Sequence, residues 1–290
     1  MDKITYDELR KIQLQQKQII DLLTNLDNKY ENLLIQFNYE NMSLEQAKKQ
    51  FFSDILPISD EIQYIHKNAI SQLSILNDIC TENGITFWIS FGSLLGAYRN
   101  SKMIPWDDDI DIQMKRDDLN KLIEIIPKYN YSIVKKIPKN YQTGIVYSLM
   151  IKGSTTIDLM PVDCIPITSS DIVATYRSQY ETLLYKIKSK YSANDDIILT
   201  EEDSGILDKF INKYKKEILT NCVDKYVYGG IECQDDVFTI SNYNDIFPLK
   251  KIIFEGFLLN MPNKAELVLK NLYGKDLYKI PIDFGVTKHQ

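Results

Sequence analysis

Histidine and cysteine are scarce in this 290-residue chain, which has two of the former and four of the latter. Cys80, Cys164, Cys222 and Cys233 form no Cys-x-x-Cys pair, and His66 and His289 lie far from one another in sequence. That distribution argues against a structural zinc site and for buried, reduced thiols. Positive charge is not in excess either: 34 Lys and Arg stand against 40 Asp and Glu, a net charge of -6. The chain therefore lacks the general positive field that gathers nucleic acid, and none is expected as a partner. No apolar run approaches the roughly 18 residues of a spanning helix. The opening Met1-Asp2-Lys3-Ile4 has neither the basic start nor the apolar stretch of a secretory signal. The reading is a cytoplasmic protein with at most peripheral contact at the inner face of the membrane.

Glycine and proline are absent from residues 5–52, where apolar side chains recur three, four or seven apart from Leu9 through Leu23 and Leu26 to Phe37. This pattern predicts a helical extension over 1–56, a seam for another helix. A helical hairpin, a homodimer arm and an amphipathic helix folded on its own domain all satisfy it. With 44% hydrophobic residues, the remainder, 57–290, can bury a core of its own.

Along that remainder Ser59-Asp60-Glu61 starts a helix that Gly84 stops. Residues 85–91, β-branched and aromatic, predict a strand, with a short helix over 94–99. Ile110, Ile112 and Met114 alternate with Asp109, Asp111 and Gln113 in a further strand, followed by a helix over 117–126. Strands are expected near 131–137, 144–152 and 155–160, mainly helix over 170–225 with a charged break near Asn194-Asp195-Asp196, a strand pair turning at Glu255-Gly256, and a helix over 263–273. The fold class is α/β (α+β), a mixed sheet flanked by helices.

Two devices stand close together. Gly92-Ser93, at a strand-to-helix junction, offers backbone N–H groups and a hydroxyl to a phosphate. Asp109 and Asp111, two apart on a strand, project from one face and suit a hard cation, Mg2+ or Mn2+, shared with substrate phosphates. Ile110, Ile112 and Trp106 surround this acidic run, so it enters a core instead of a solvated loop. Asp158, flanked by Ile157 and Leu159, is a third carboxylate that can bind metal or take the proton from an acceptor hydroxyl. Arg99 and Lys152, the latter on a strand just before Asp158, are candidates to neutralise a diphosphate. Neither histidine lies near these motifs in sequence.

The run Phe91 to Arg99 with Ile104-Pro105-Trp106-Asp107-Asp108-Asp109-Ile110-Asp111-Ile112 resembles the LicD-type phosphocholine transferases, relatives of the fukutin proteins within the nucleotidyltransferase superfamily. Ile157 to Asp163 and Ile246 to Gly274 resemble later elements of that family, as does the opening Ile4 to Leu9. The resemblance implies a nucleotidyltransferase-type sheet and a Mg2+-dependent phosphotransferase. Its implied reaction moves phosphocholine or a polyol phosphate from a CDP-activated donor, CDP-choline or a CDP-polyol, to a sugar hydroxyl of a cell-surface glycan or lipid-linked saccharide. It implies Asp109 and Asp111 as metal carboxylates with Asp107 in support, and Asp158 as the third acid. Two positions depart from the pattern: Asn100 stands where His is usual, and Lys102 or Met103 where Gly precedes Ile-Pro-Trp. Transfer of a nucleoside monophosphate from a triphosphate, or a non-catalytic scaffold in glycan assembly, are the alternatives.

Overall fold

The computed structural model describes residues 41–139, 144–166, 170–191, 196–218, 225–233 and 240–279, together with Leu26, Lys29 and Tyr39. The seam expected from Leu9 to Phe37 lies outside these residues except for Leu26, which is helical and exposed. Asn41 takes a left-handed φ of 76°, and Ser43 opens a helix, α1 (Leu44–Asp54). The signal was a capping box: Ser43 Oγ accepts from Gln46 N while Gln46 Oε1 accepts from Ser43 N. The described residues separate into two units, Leu56–Leu277 and a smaller one holding the residues before Leu56 with Tyr278 and Lys279.

In the larger unit α2 (Asp60–Glu82) is capped by Ser59 Oγ, which accepts from Ile62 N. Its buried stripe of Ile62, His66, Ala69, Leu73, Leu76 and Ile79 follows the helical period. Burying a leucine such as Leu73 or Leu76, both fully enclosed, contributes roughly 2 kcal/mol. Ten strands and six further helices follow: β1 (Phe87–Ile89), α3 (Phe91–Asn100), β2 (Ile110–Lys115), α4 (Arg116–Ile125), β3 (Ser132–Ile137), β4 (Val146–Ile151), β5 (Ser154–Pro166), α5 (Ser170–Lys188), β6 (Ile197–Ile198), α6 (Glu201–Ile218), β7 (Lys225–Gly229), β8 (Ile240–Asn242), α7 (Tyr243–Ile246), β9 (Lys250–Phe254), β10 (Phe257–Met261) and α8 (Ala265–Tyr273). Eight strands form a mixed sheet in the order β1-β2-β5-β4-β3-β6, with β7 on β5 and β8 on β7. Among the described residues only β2 and β5 run parallel; the other pairs are antiparallel.

Two expectations shift: the strand over 85–91 is confined to β1, and the helix expected from Leu94 begins at Phe91. Over 170–225, α5 and α6 stand on either side of the expected charged break, with the short β6 ahead of α6, and β7, not anticipated, starts at Lys225. β7 forms because the far half of β5, Val162 to Pro166, needs a partner for its backbone, which Lys225–Gly229 supplies.

The sheet has two dissimilar faces, and adjacent Lys135 and Lys136 of β3 mark them. Lys135 Nζ meets Asp208 of α6 at 2.5 Å, on the face where Ile165, Val173, Tyr176 and Tyr214 pack together. Lys136 Nζ reaches Asp158 on the other face at 3.5 Å. Between sheet and helices a buried ion network holds the 230–233 turn. Arg116 donates to both Asp163 oxygens at 2.7 and 2.6 Å and to both Glu232 oxygens at 2.6 and 2.9 Å. Gly230 is required there, because a Cβ would sit 2.6 Å from Glu232 Oε2 and 2.8 Å from Arg116 Nη2.

Candidate active site

The parallel register of β2 and β5 sets Asp111 opposite Asp158, and the antiparallel register of β5 and β4 sets Asp158 opposite Ser148. The three residues form a row across neighbouring strands roughly 4.8 Å apart. Ser148 Oγ donates to Asp158 Oδ1 at 2.5 Å, deep in the protein. Lys136, two strands from Asp158, reaches across β4 on its long side chain. Asp158 is 7% exposed.

Asp111 is fixed by the start of α3. Ser93 Oγ accepts from Asp111 N at 2.9 Å, Gly92 N donates to Asp111 Oδ2 at 3.2 Å, and Ser90 N donates to Asp111 O at 3.1 Å. Gly92 and Ser93 thus serve Asp111, with Ser93 buried beneath it. A Cβ on Gly92 would lie 2.5 Å from Asp107 Oδ2 and 3.6 Å from Asp111 Oδ2, so these two carboxylates converge over its Cα. Phe91 enters the helix at a left-handed φ of 44°, a conformation that costs a non-glycine residue about 1 kcal/mol or more.

Asp107, Asp108 and Asp109, all half-buried, each bring a carboxylate oxygen within 4.8 Å of the others. Burial, then the charges of Asp111, Asp107, Asp158 and Asp108, push the Asp109 carboxyl well above its ordinary range. Five acids in one recess, with Lys136 beside Asp158, make a donor set suited to a divalent cation with phosphate oxygens. The residues therefore fit the Mg2+ expected from the sequence. Asp108 joins Asp107 and Asp109 in the cluster, an acid that strand alternation alone did not single out.

The loop carrying these acids is clasped by distant residues. His66 Nε2 lies 2.8 Å from the Asp107 carbonyl, which can only accept, so this nitrogen carries the proton. The sequence places no histidine near the motif; the structure brings His66 directly under it from α2. Burial holds the His66 imidazole below its ordinary pKa, against the opposing influence of the Asp107 carbonyl, Glu255 and Asp108. Glu255, at the β9–β10 turn, accepts from Met103 N at 2.7 Å and donates from its own N to Ser101 O at 2.8 Å. That turn needs left-handed backbone at both Glu255 and Gly256, with φ of 49° and 84°.

The two predicted cations part company. Arg99 lies near the end of α3 and donates from Nε to the Leu277 carbonyl at 2.6 Å. Lys152 is not on a strand: it occupies the exposed β4–β5 turn with a φ of 51°. Lys136 is the lysine at the acids, and its signal was a pair of lysines in a strand, which must face opposite ways. Tyr273 of α8 also belongs here. Desolvation, then the charges of Asp111 and Asp107, push its phenol up, although the residue as a whole is 44% exposed. Trp88, fully buried, donates to Gln113 Oε1 at 3.2 Å and packs edge-on against Phe247, so it belongs to the core and not to a headgroup pocket.

A mixed sheet that presents paired aspartates beside a Gly-Ser helix start defines a nucleotidyltransferase-type domain. Residues 84–182 match the model of the LicD/FKTN/FKRP nucleotidyltransferase domain, so this part of the chain is similar to the LicD family. It is 38% identical over 234 residues, 77% of its length, to an uncharacterised protein of Rickettsia typhi, covering 62% of that protein. It is 36% identical over 57 residues to the lipopolysaccharide cholinephosphotransferase LicD of Haemophilus influenzae, 20% of this chain and 22% of that one. It is 30% identical over 119 residues to mannosyltransferase regulator 4 of Saccharomyces cerevisiae, 41% of this chain and 10% of that one. The chain spans less than two thirds of each of these relatives. Among the described residues no helix is long and apolar enough to cross a membrane.

Proposed function

We propose that the chain is a divalent-metal-dependent phosphotransferase that moves phosphocholine, or a related phospho-substituent, from a CDP-activated donor to a sugar hydroxyl of a glycan or lipid-linked saccharide in the cytoplasm. The observation that carries this reading is the convergence of Asp107, Asp109 and Asp111 beside Asp158 on one sheet face. The match of residues 84–182 to the LicD/FKTN/FKRP domain and the cholinephosphotransferase name of the Haemophilus relative support it. Asp107, Asp109 and Asp111 would hold Mg2+, which when bound neutralises charge on the donor diphosphate.

The chain's own groups then divide the work. Asp158 takes the proton of the acceptor hydroxyl while Ser148 and Lys136 keep its carboxylate in position. The acceptor oxygen bonds to the phosphorus bearing the substituent, the bridging P–O bond of the diphosphate breaks, and CMP leaves. Gly92 and Ser93 hold Asp111 rigid, so the acids are preorganised and need not rearrange. Incubation of the purified chain with Mg2+, an acceptor saccharide, and CDP-choline, CDP-glycerol or CDP-ribitol should release CMP and give a phosphodiester on the sugar. Release of pyrophosphate from CTP, with no CMP from any CDP donor, would overturn the reading in favour of nucleotidyl transfer.

A further inference from the structure

Next to the acids lies a cavity of about 210 Å³ at the start of α3. Its polar lining is Ser90, Gln113, Ser241 and Asn271, and no charged side chain contributes to it among the described residues. Val162, Val227, Ile246 and Leu272 supply apolar walls. Ser90 is 4% exposed, and its Oγ has no hydrogen-bond partner, although it occupies the N-cap position of α3 where a serine oxygen ordinarily accepts from the helix. A buried hydroxyl without a partner is unfavourable unless something else satisfies it.

Gln113 supplies the second polar contact, and its orientation is fixed. Trp88 Nε1 can only donate, so the atom it meets at 3.2 Å must be the amide oxygen, which leaves Gln113 Nε2 as the donor available to the cavity. Gln113 stands two residues beyond Asp111 on the same face of β2, a step of roughly 7 Å along the strand. That step is on the scale of a ribose between a base and its first phosphate. Ser90 likewise precedes Gly92, whose N–H holds Asp111.

The lining selects among the parts of a CDP-linked donor. A quaternary ammonium is held by aromatic faces or carboxylates, and among the described residues the cavity has only Phe91 as an aromatic and no acid. A polyol carries a hydroxyl on every carbon, and walls of valine, isoleucine and leucine would leave most of them unpaired. A pyrimidine is flat, apolar on both faces, and polar only along its edge. We infer that this cavity binds the base of a pyrimidine nucleotide, with Gln113 Nε2 and Ser90 Oγ reading its edge and the aliphatic walls covering its faces. This assignment rests on the donor-binding reading above and adds to it the place and the recognition of the nucleoside.

Calorimetry of the full chain with Mg2+ separates the two ideas, using CMP, inorganic pyrophosphate and phosphocholine as probes. Ser90→Ala removes no existing hydrogen bond and should weaken CMP roughly fivefold, the scale of one hydrogen bond. Asn271→Trp, an exposed change at the cavity wall, should weaken CMP by at least tenfold, and pyrophosphate should bind both variants as it binds the parent. Parental CMP affinity in both variants, or a loss confined to phosphocholine, overturns the base assignment and leaves the diphosphate site standing. A parent that binds pyrophosphate but not CMP does the same. A parent that binds neither removes the donor-binding reading and this inference with it. If Ser90→Ala melts early, Asn271→Trp decides alone.

Discussion

Asp111 and Asp158 face one another across the parallel pairing of β2 on β5. Two carboxylates held at that spacing repel in the absence of a cation, so their roles can be separated from their effect on folding. Asp158→Asn keeps the shape and much of the bond to Ser148 but removes charge and basicity. Its melting temperature without metal should hold or rise, while transfer falls by roughly a hundredfold or more, the scale of a positioned general base. Asp111→Ala should remain folded yet lose magnesium-dependent turnover; near-parental rate at saturating Mg2+ would remove Asp111 from the site.

Two glycines make a matched test of space. Gly92→Ala forces a Cβ to within 2.5 Å of Asp107 Oδ2, so Asp107 must move and Mg2+ affinity, measured by titration, should fall. Gly205, inside α6, has nothing within 4 Å of where a Cβ would stand. Gly205→Ala should therefore stabilise the chain by roughly 0.5–1 kcal/mol in urea unfolding and leave Mg2+ binding untouched.

The Arg116 network is fully buried, with side-chain exposures of 5% for Arg116 and 0% for Asp163 and Glu232. Arg116→Met strands two acids in the interior and should cost about 3–5 kcal/mol in denaturant unfolding. Replacing Arg116, Asp163 and Glu232 together by apolar residues of similar volume should recover much of that loss. A triple variant as unstable as Arg116→Met would show that the network contributes more than mutual neutralisation.

Asp245 gives a pH signature away from the metal site. A hydrogen bond from Lys264 at 2.7 Å, with help from Asn242, holds its carboxyl below the ordinary range. A depressed folded-state pKa means the stabilisation is present above the unfolded value, about 3.9, and is lost as pH falls through the folded one. Lys264 is 52% exposed, so screening limits the effect to under about 1 kcal/mol. Asp245→Asn should lower the melting temperature at pH 7, and the difference should vanish near pH 2.

The acidic strand, its alternation and the Gly-Ser turn are legible because each depends on residues within one short segment. Asp109 and Asp111 were readable from Ile110 and Ile112 alone, and the β9–β10 turn from Glu255-Gly256. Lys136, His66 and Glu255 were not, since each acts on a residue that is distant in sequence: Asp158, Asp107 and Met103. Only strand order and helix docking bring such pairs together. Helical periodicity over 170–225 likewise concealed the start of β7, whose strand character comes from pairing with β5 some 60 positions earlier in the chain. The conversion of Ser93 from expected phosphate donor to anchor of Asp111 has the same cause: the hydroxyl's partner was decided by where β2 lies beside α3.

The clasp on the acid loop also has an order in time. His66 is made before Asp107, but Glu255 leaves the ribosome 152 residues after the Met103 amide it receives. A nascent chain has one hand of the clasp once Asp107 is made and gains the other only when the β9–β10 hairpin emerges. The carboxylates that would bind metal are thus brought to their final spacing only after Glu255 has emerged, and a ribosome-stalled fragment ending before Glu255 would carry every aspartate of the site without its geometry.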